Sequence, residues 1–302
     1  MMIKYLDPKT DFAFKKIFRR EKNKDLLIGL INSVLGSQLH RPIVDVSIVP
    51  TNLDPEIRTK KESYIDVLCH DQDGCQYIIE MQVSKEKGFE KRAQYYASKT
   101  FVQQMESGEK YHHLKQVIFL AFTDYILFPN KPHYKSKHIT LDKKTQENDL
   151  NLISFTFVEL PKFEKQRPQN ITQLTLEQKF YYFLIHAENS EPNEVEQLIG
   201  NHPIIKRAFE ELNLSSFTKQ ELQEYEAFQK YQRDSQMRED RIKQQGKKEG
   251  IELGKREGKK EGAKTREIQI AQGMLAKGMD TKLIQELTGL STEEFNRLKA
   301  EL

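Results

Sequence analysis

Residues 64–84 contain two apolar, β-branched runs, Tyr64-Ile65-Asp66-Val67-Leu68-Cys69 and Gln76-Tyr77-Ile78-Ile79-Glu80-Met81-Gln82-Val83. His70-Asp71-Gln72-Asp73-Gly74 lies between them, and its Asp73-Gly74 pair suits the positive φ angles of a tight turn. A β-hairpin is therefore expected, with arms apolar enough to be central, buried strands. Each arm nevertheless carries an acidic residue. A buried carboxylate is costly unless it is paired, hydrogen-bonded or bound to a metal, so the rest of the chain must accommodate Asp66 and Glu80.

Period-two alternation puts Tyr64, Asp66 and Leu68 on one face of the first arm, and Ile78, Glu80 and Gln82 on one face of the second. If those faces coincide, the two carboxylates converge on a point that a divalent cation could occupy. Hard cations take oxygen ligands, commonly one or two carboxylates with water and substrate phosphate completing the shell. Mg²⁺ is the first candidate, with Mn²⁺ or Ca²⁺ as alternatives. The chemistry implied is metal-assisted phosphodiester hydrolysis. Spacing alone equally allows both residues to sit at strand ends or on a solvated face.

Asp66 followed by Glu80-x-Gln82 on the next strand resembles the PD-(D/E)XK nuclease core, and the surrounding residues resemble its Rpn branch of recombination-promoting, transposase-like nucleases. The matching stretches are Asp7-Pro8, Asp11-Phe12-Ala13-Phe14-Lys15-Lys16-Ile17-Phe18, Asn23-Lys24-Asp25-Leu26-Leu27, Asn32-Ser33-Val34-Leu35, the hairpin, Arg92 with Tyr95-Tyr96, and Gly108-Glu109-x-Tyr111. The likeness is strongest over residues 5–125. It implies that Asp66 and Glu80 hold the metal with the Met81 backbone carbonyl, and that Gln82 positions water or the scissile phosphate. Ile65 stands where the broad motif has proline, and Gln82 where it has lysine. A glutamine here looks usual for the Rpn branch.

Composition sets outer limits. The chain has 302 residues, 37% hydrophobic and 31% charged, enough for one sizeable core and a second small unit. No apolar run approaches the roughly 18 residues of a membrane span, and the start lacks a hydrophobic signal core. A cytoplasmic location without membrane association is expected. Cys69 and Cys75 lack other ligands at zinc spacing and read as reduced thiols. The net charge is +3. Ten basic against six acidic residues between Arg238 and Lys264 supply +4, leaving the remainder at −1. The body is thus not generically basic, and any DNA contact must use a local patch.

Ahead of the hairpin, cap-type residues and apolar spacing predict two helices, the second ended by Gly36. Lys15, Lys16, Arg19, Arg20, Lys22 and Lys24 cluster there, as a solvated face or as phosphate contacts. Residues 42–50, the two hairpin arms and residues 117–122 read as four strands, with a helix over 89–107. On that helix Arg92, Tyr96, Lys99 and Gln103 share one face. In the resembled fold this helix borders the active site, so Arg92 and Lys99 are candidates to take over from the missing lysine. A strand is expected around 138–141 and another over 153–160, and the polar, basic residues 129–150 are a DNA-facing surface or a plain loop.

From Thr175 the pattern turns helical. Thr175-x-x-Gln178, Thr218-x-x-Glu221 and Ser291-x-x-Glu294 resemble capping boxes, and Pro203 suits a first helical position. A helix from Gln220 is expected to run past Arg241, with Leu222, Tyr225, Phe228 and Tyr231 facing inward. Glycine then occupies positions 246, 250, 254, 258 and 262. This segment is either a charged flexible linker or a helix, with Glu252–Lys255 and Glu257–Lys260 ion pairs, whose bare stripe meets another subunit. The last two short helices resemble a helix-turn-helix, but Glu293 and Glu294 at the start of the second make dimerisation or partner docking an equal alternative.

The expected architecture is α/β: a restriction-endonuclease-like PD-(D/E)XK core, a mixed sheet flanked by helices, with an all-helical C-terminal region. Expected boundaries are 1–165 for the nuclease core, 166–245 for a helical region, 246–264 for a glycine-patterned connector and 265–302 for a small module for oligomerisation or DNA binding. The expected activity is Mg²⁺-dependent cleavage of double-stranded DNA by a homo-oligomer, linked to recombination or mobile elements. Asp66, Glu80 and Gln82 would be catalytic, with Arg92, Tyr96, Lys99, Lys15, Lys16 and Asp11 supporting them or contacting DNA. The alternative is a catalytically weak nuclease fold acting as a DNA-binding or oligomeric scaffold. Nothing in the residues separates DNA from RNA as substrate.

Overall fold

Asp71, at the end of the first hairpin arm, organises the turn in the computed structural model, which describes residues 5–50, 52–53, 63–105, 108 and 110–300. One carboxylate oxygen of Asp71 accepts from the Asp73 and Cys75 N–H groups at 2.9 and 3.0 Å, and the other accepts the Tyr77 hydroxyl at 2.8 Å. Gly74 supplies the positive φ of +83° that the turn requires. Asp71→Ala would strip three hydrogen bonds and leave the buried Tyr77 hydroxyl without its acceptor. The expected cost is about 2–3 kcal/mol, read as a lower urea midpoint by circular dichroism. Cys69 and Cys75 are free thiols, the first buried.

The chain divides into two compact units, Met1–Leu222 and Gln223–Leu302. In the first, α1 (Asp11–Phe18) and α2 (Lys24–Leu35) precede β1 (Val46–Val49), β2 (Asn52–Leu53), β3 (Ser63–Tyr64), β4 (Val67–Asp71) and β5 (Gln76–Gln82). Then come α3 (Phe89–Val102), β6 (Val117–Thr123), β7 (Lys135–His138), β8 (Ile153–Glu159), α4 (Leu160–Gln166), α5 (Leu176–His186), α6 (Pro192–Ile199) and α7 (Pro203–Leu212). Six strands form one mixed sheet in the order β1-β4-β5-β6-β8-β7. The pairs β1–β4, β4–β5 and β7–β8 are antiparallel, whereas β5–β6 and β6–β8 are parallel.

β6, VIFLAFT, is buried at every position, as expected of a strand covered on both faces. Phe119 and Ala121 join Ile78, Leu68, Phe157 and the Phe89, Ala93 and Ala97 face of α3 in one core. On the other face Phe122 meets Phe14 of α1 at 6.5 Å and Tyr181 of α5 at 6.0 Å between ring centroids. α2 packs with α5 and α7. The expected mixed sheet flanked by helices is present, and the two later strands, β7 and β8, extend it beyond β6.

Three elements differ from expectation. The first hairpin arm begins at Val67, because Asp66 sits at a bend while Ser63–Tyr64 pairs with Asn52–Leu53. The cause is local: the Asp66 carboxylate takes the Met81 N–H at 2.9 Å, and the Asp66 N–H is directed to the Glu80 carboxylate at 3.3 Å. Side chains thus replace the next ladder bonds. The strand expected at 138–141 lies instead at Lys135–His138, where β8 sets its register. The helix expected to reach residue 107 ends at Val102.

α8 (Lys219–Ala276) starts within the first unit and is continuous through all five glycines, so the segment is a helix. Among the described residues, no atom beyond the local helix backbone and the two flanking residues lies within 4 Å of where a Cβ would stand on any of them. The Glu252–Lys255 and Glu257–Lys260 pairs do not close among the described residues; Lys264 instead pairs with Glu294 at 2.7 Å. In the second unit α9 (Thr281–Thr288) and α10 (Thr292–Ala300) fold with the end of α8 around Ala271, Ile284, Leu290, Phe295 and Leu298. The capping boxes at Thr175 and Thr218 close, as does that at Ser291. Glu109 and the side chains of Tyr64, Phe228 and Tyr231 lie outside the described residues. No described helix is long and apolar enough to cross a membrane.

Candidate active site

Register brings the two acidic residues together. Leu68 pairs with Ile78 and Val67 with Ile79, so one step past the ladder Asp66 stands opposite Glu80. Both lie near the carboxyl end of β5, which runs parallel to β6, where open α/β sheets usually place a site. Glu80 is 2% exposed. One of its oxygens accepts from the Asp66 N–H, and the other accepts the Gln82 side-chain amide at 3.0 Å. The Gln82 carbonyl oxygen in turn accepts from the Arg92 guanidinium of α3 at 2.6 Å, and Arg92 also pairs with Glu86. These bonds form a continuous relay from Asp66 through Glu80, Gln82 and Arg92 to Glu86.

From the other side α1 contributes Asp11 and Lys15, one turn apart. The Lys15 ammonium is 2.5 Å from Asp11 and 3.7 Å from Asp66. Thr10 caps this helix through the Ala13 N–H at 3.4 Å. The Gln82 backbone carbonyl, distinct from the side-chain oxygen that binds Arg92, accepts from the Asp124 N–H. Alternation along β5 therefore turns the Met81 carbonyl toward the β4 side, where Asp66 stands.

Burial pushes the Asp66 carboxyl up to about 6, opposed by the Met81 N–H and by Lys15. Burial and then the Asp66 charge hold Glu80 well above the usual carboxylate range, with Arg92 and Lys15 opposing. Burial and the charge of Glu80 raise the Tyr96 phenol. Two hard-oxygen donors thus face each other without enough positive charge to keep both ionised, a deficit that a divalent cation would remove. No group of three or more His, Cys, Asp or Glu side chains is assembled for a metal among the described residues. The donor set fits a cation such as Mg²⁺, which retains water and needs only one or two carboxylates.

Arg92 and Tyr96 border the carboxylates, whereas Lys99 stands about 10 Å farther along α3 than Arg92. Lys16 is not at the site, although expected beside it. Its ammonium is buried, 3.4 Å from Glu221 and over the Phe217 ring. The same carboxylate takes Arg20 at 2.8 Å, Lys22 pairs with Glu211 at 2.9 Å, and Lys24 pairs with Glu21 at 2.8 Å. Most of the basic cluster read as a phosphate surface is therefore committed to intramolecular ion pairs. In the 129–150 insert, Lys135 binds Glu177 at 2.5 Å and the Val34 carbonyl at 3.2 Å. Sequence reasoning missed Glu86, which pairs with Arg92 from a loop without a periodic signal, and Tyr125, whose phenol lies in the field of Arg92.

The family described as PD-(D/E)XK nuclease family transposase matches residues 8–241. The C-terminal HTH domain of the Rpn/YhgA-like nuclease family matches residues 264–300, spanning the end of α8 with α9 and α10. No curated protein and no solved structure matches the chain.

Proposed function

This chain belongs to the PD-(D/E)XK nuclease family transposases, and from that premise we propose that it is a metal-dependent endonuclease acting on double-stranded DNA in recombination or mobile-element movement. The observation that carries the reading is the buried Asp66–Glu80 pair, held face to face with both carboxyls raised. Asp66, Glu80 and the Met81 carbonyl would hold the cation. Once bound, Mg²⁺ would activate water and neutralise charge on the phosphoryl group. Gln82 fixes the orientation of Glu80 through its amide. Arg92 supplies the positive charge that a lysine at position 82 would have carried, and Lys15 adds a second cation beside Asp66. The C-terminal helix-turn-helix would bring DNA to the enzyme.

The test is conversion of supercoiled plasmid to nicked and linear forms by purified full-length protein in Mg²⁺, Mn²⁺ or EDTA. Cleavage in either metal and none in EDTA is expected. Arg92→Ala should slow it about 10²- to 10³-fold, a loss typical of removing a charge-stabilising donor. The neutral Gln82 and the committed basic cluster favour a second reading, a nuclease fold used as a DNA-binding scaffold. Binding without cleavage under all these conditions would select it.

A second copy of the chain is the proposed partner of α8. Each exposed interior glycine costs about 1 kcal/mol relative to alanine, and five in register leave a bare stripe suited to close helix approach. Gly250→Leu with Gly254→Leu should shift the protein to a smaller species in light scattering after size exclusion. An unchanged mass would remove the stripe from assembly.

A further inference from the structure

From Arg241 to Ala263 every residue of α8 is exposed. Charge is sorted along this face by a four-residue repeat. Lys247, Ile251, Lys255 and Lys259 each follow a glycine directly, and Glu249, Leu253, Glu257 and Glu261 stand three residues after one. Steps of one and three residues turn by about 100° and 300°, so the lysines flank the glycine line on one side and the glutamates on the other. The last row, Lys248, Glu252, Arg256 and Lys260, lies about 200° round, behind the glycines. The glycine line itself reaches Ile242 before it and Ile270 after it, 72% and 45% exposed.

This sorting works against an isolated helix. A four-residue repeat puts like charges at i,i+4, as in Lys255 with Lys259 and Glu257 with Glu261, where they repel. The lysines and glutamates of the two flanking rows make no ion pair among the described residues. Their opposite charges stand on opposite sides of the glycines, out of each other's reach and open to a second helix.

A second copy of the chain is the occupant that the charges match. Two parallel helices facing each other through the glycine line, related by a two-fold along their length, set the lysine side of each against the glutamate side of the other. Two antiparallel helices set lysine against lysine and glutamate against glutamate. The aliphatic residues that interrupt the rows, Ile251 and Leu253, 50% and 47% exposed, make the same choice. In parallel register Ile251 of each helix stands about 3 Å in height from the partner's Leu253. In an antiparallel pair centred on Gly254 only Leu253 meets its equal, and Ile251 lies between the partner's Lys255 and Lys259.

We propose that α8 pairs in parallel and in register with α8 of a second copy, the backbones touching along the glycines and each lysine row meeting the partner's glutamate row. The inference rests on the second-copy reading of α8 and adds its direction. The modules built from α9 and α10 then leave the pair at one end, related by the same two-fold.

The test uses full-length protein carrying Cys75→Ser and a spin label on Gln269→Cys; Cys69 is buried. The distance between the two labels is expected below about 30 Å, whereas an antiparallel pair centred on Gly254 would separate them by about 45 Å. Dimer dissociation constants from sedimentation give the second readout. Lys255→Glu with Lys259→Glu should weaken the pair at least about tenfold, and adding Glu257→Lys with Glu261→Lys should restore it. Lys248→Glu with Lys260→Glu, an equal change of charge on the outward row, should alter it less than about twofold. In an antiparallel pair the first exchange would instead tighten association, because it breaks up opposed lysine rows. A dimer with the long distance, or one that this exchange tightens or leaves unchanged, would overturn the parallel pair and leave the second copy to be judged by the glycine variants. A monomer would remove both.

Discussion

Asp66→Asn and Glu80→Gln are each expected to lower metal-dependent plasmid cleavage by at least about 10³-fold, while making the metal-free protein more stable at pH 8. The two effects share a cause. Burial holds Asp66 at about 6 in the folded chain against an ordinary carboxylate value of 3.8, and burial together with the Asp66 charge holds Glu80 well above its ordinary range. A folded state that binds protons more tightly than the unfolded one loses stability as pH rises. The loss begins near the unfolded carboxylate values, passes through about pH 6 for Asp66, continues as Glu80 ionises, and persists above.

For Asp66, mostly shielded from solvent, the penalty is on the order of 2–3 kcal/mol. The amide variants retain the acceptors for the Met81 and Asp66 N–H groups and lack the charge. Urea midpoints measured between pH 4 and 9 in EDTA should therefore fall for the parent and stay flatter for the variants. Mg²⁺ should restore the parent at pH 8 and leave the variants unchanged. A parent whose midpoint is level across that range would show that burial does not hold the two carboxyls above their ordinary range. Retained cleavage in both variants would remove them from the chemistry.

The second large effect lies outside the site. Glu159, at the end of β8, is fully buried and accepts the Leu127 and Phe128 N–H groups at 2.7 and 3.0 Å and the Lys162 ammonium at 2.6 Å. Lys162 also donates to the Phe128 and Lys131 carbonyls, both at 2.7 Å. This buried pair fastens the segment after β6 to the sheet. Lys162→Met would leave a buried carboxylate without its countercharge and two carbonyls without a donor. The expected cost is about 3–5 kcal/mol, a fall in melting temperature on the order of 10 °C. Adding Glu159→Gln should recover part of it, because no lone charge then remains. A single variant melting within about 2 °C of the parent would mean that water reaches the pair.

The hairpin was readable because strand composition and the Asp73-Gly74 turn are local signals. The meeting of Asp66 with Glu80 followed from the two-residue period once that turn was placed. What lay beyond reach was anything decided by partners distant in sequence. Lys16, Arg20 and Lys22 look like a free basic surface until Glu211 and Glu221, about 200 residues later, are folded onto them. The position of β7 was set by its pairing with β8 rather than by its own residues. Glu86 and Tyr125 come from connections, whose geometry no periodicity encodes. In α8, helix continuity overrode the poor propensity of five glycines, and the expected i,i+3 pairs did not close.

Adjacent residues of α1 serve separate structures: Lys15 faces Asp66, while Lys16 is committed to Glu221 and Phe217. Neighbouring side chains on a helix diverge by about 100°, so neither lysine can assume the other's position by a change of rotamer. A single-residue insertion before Lys15 would turn both away together, detaching the candidate site and the first turn of α8 in one step. α1 should therefore accept many exchanges of side chain and almost no change of length, so length variation among related chains should fall outside these eight residues.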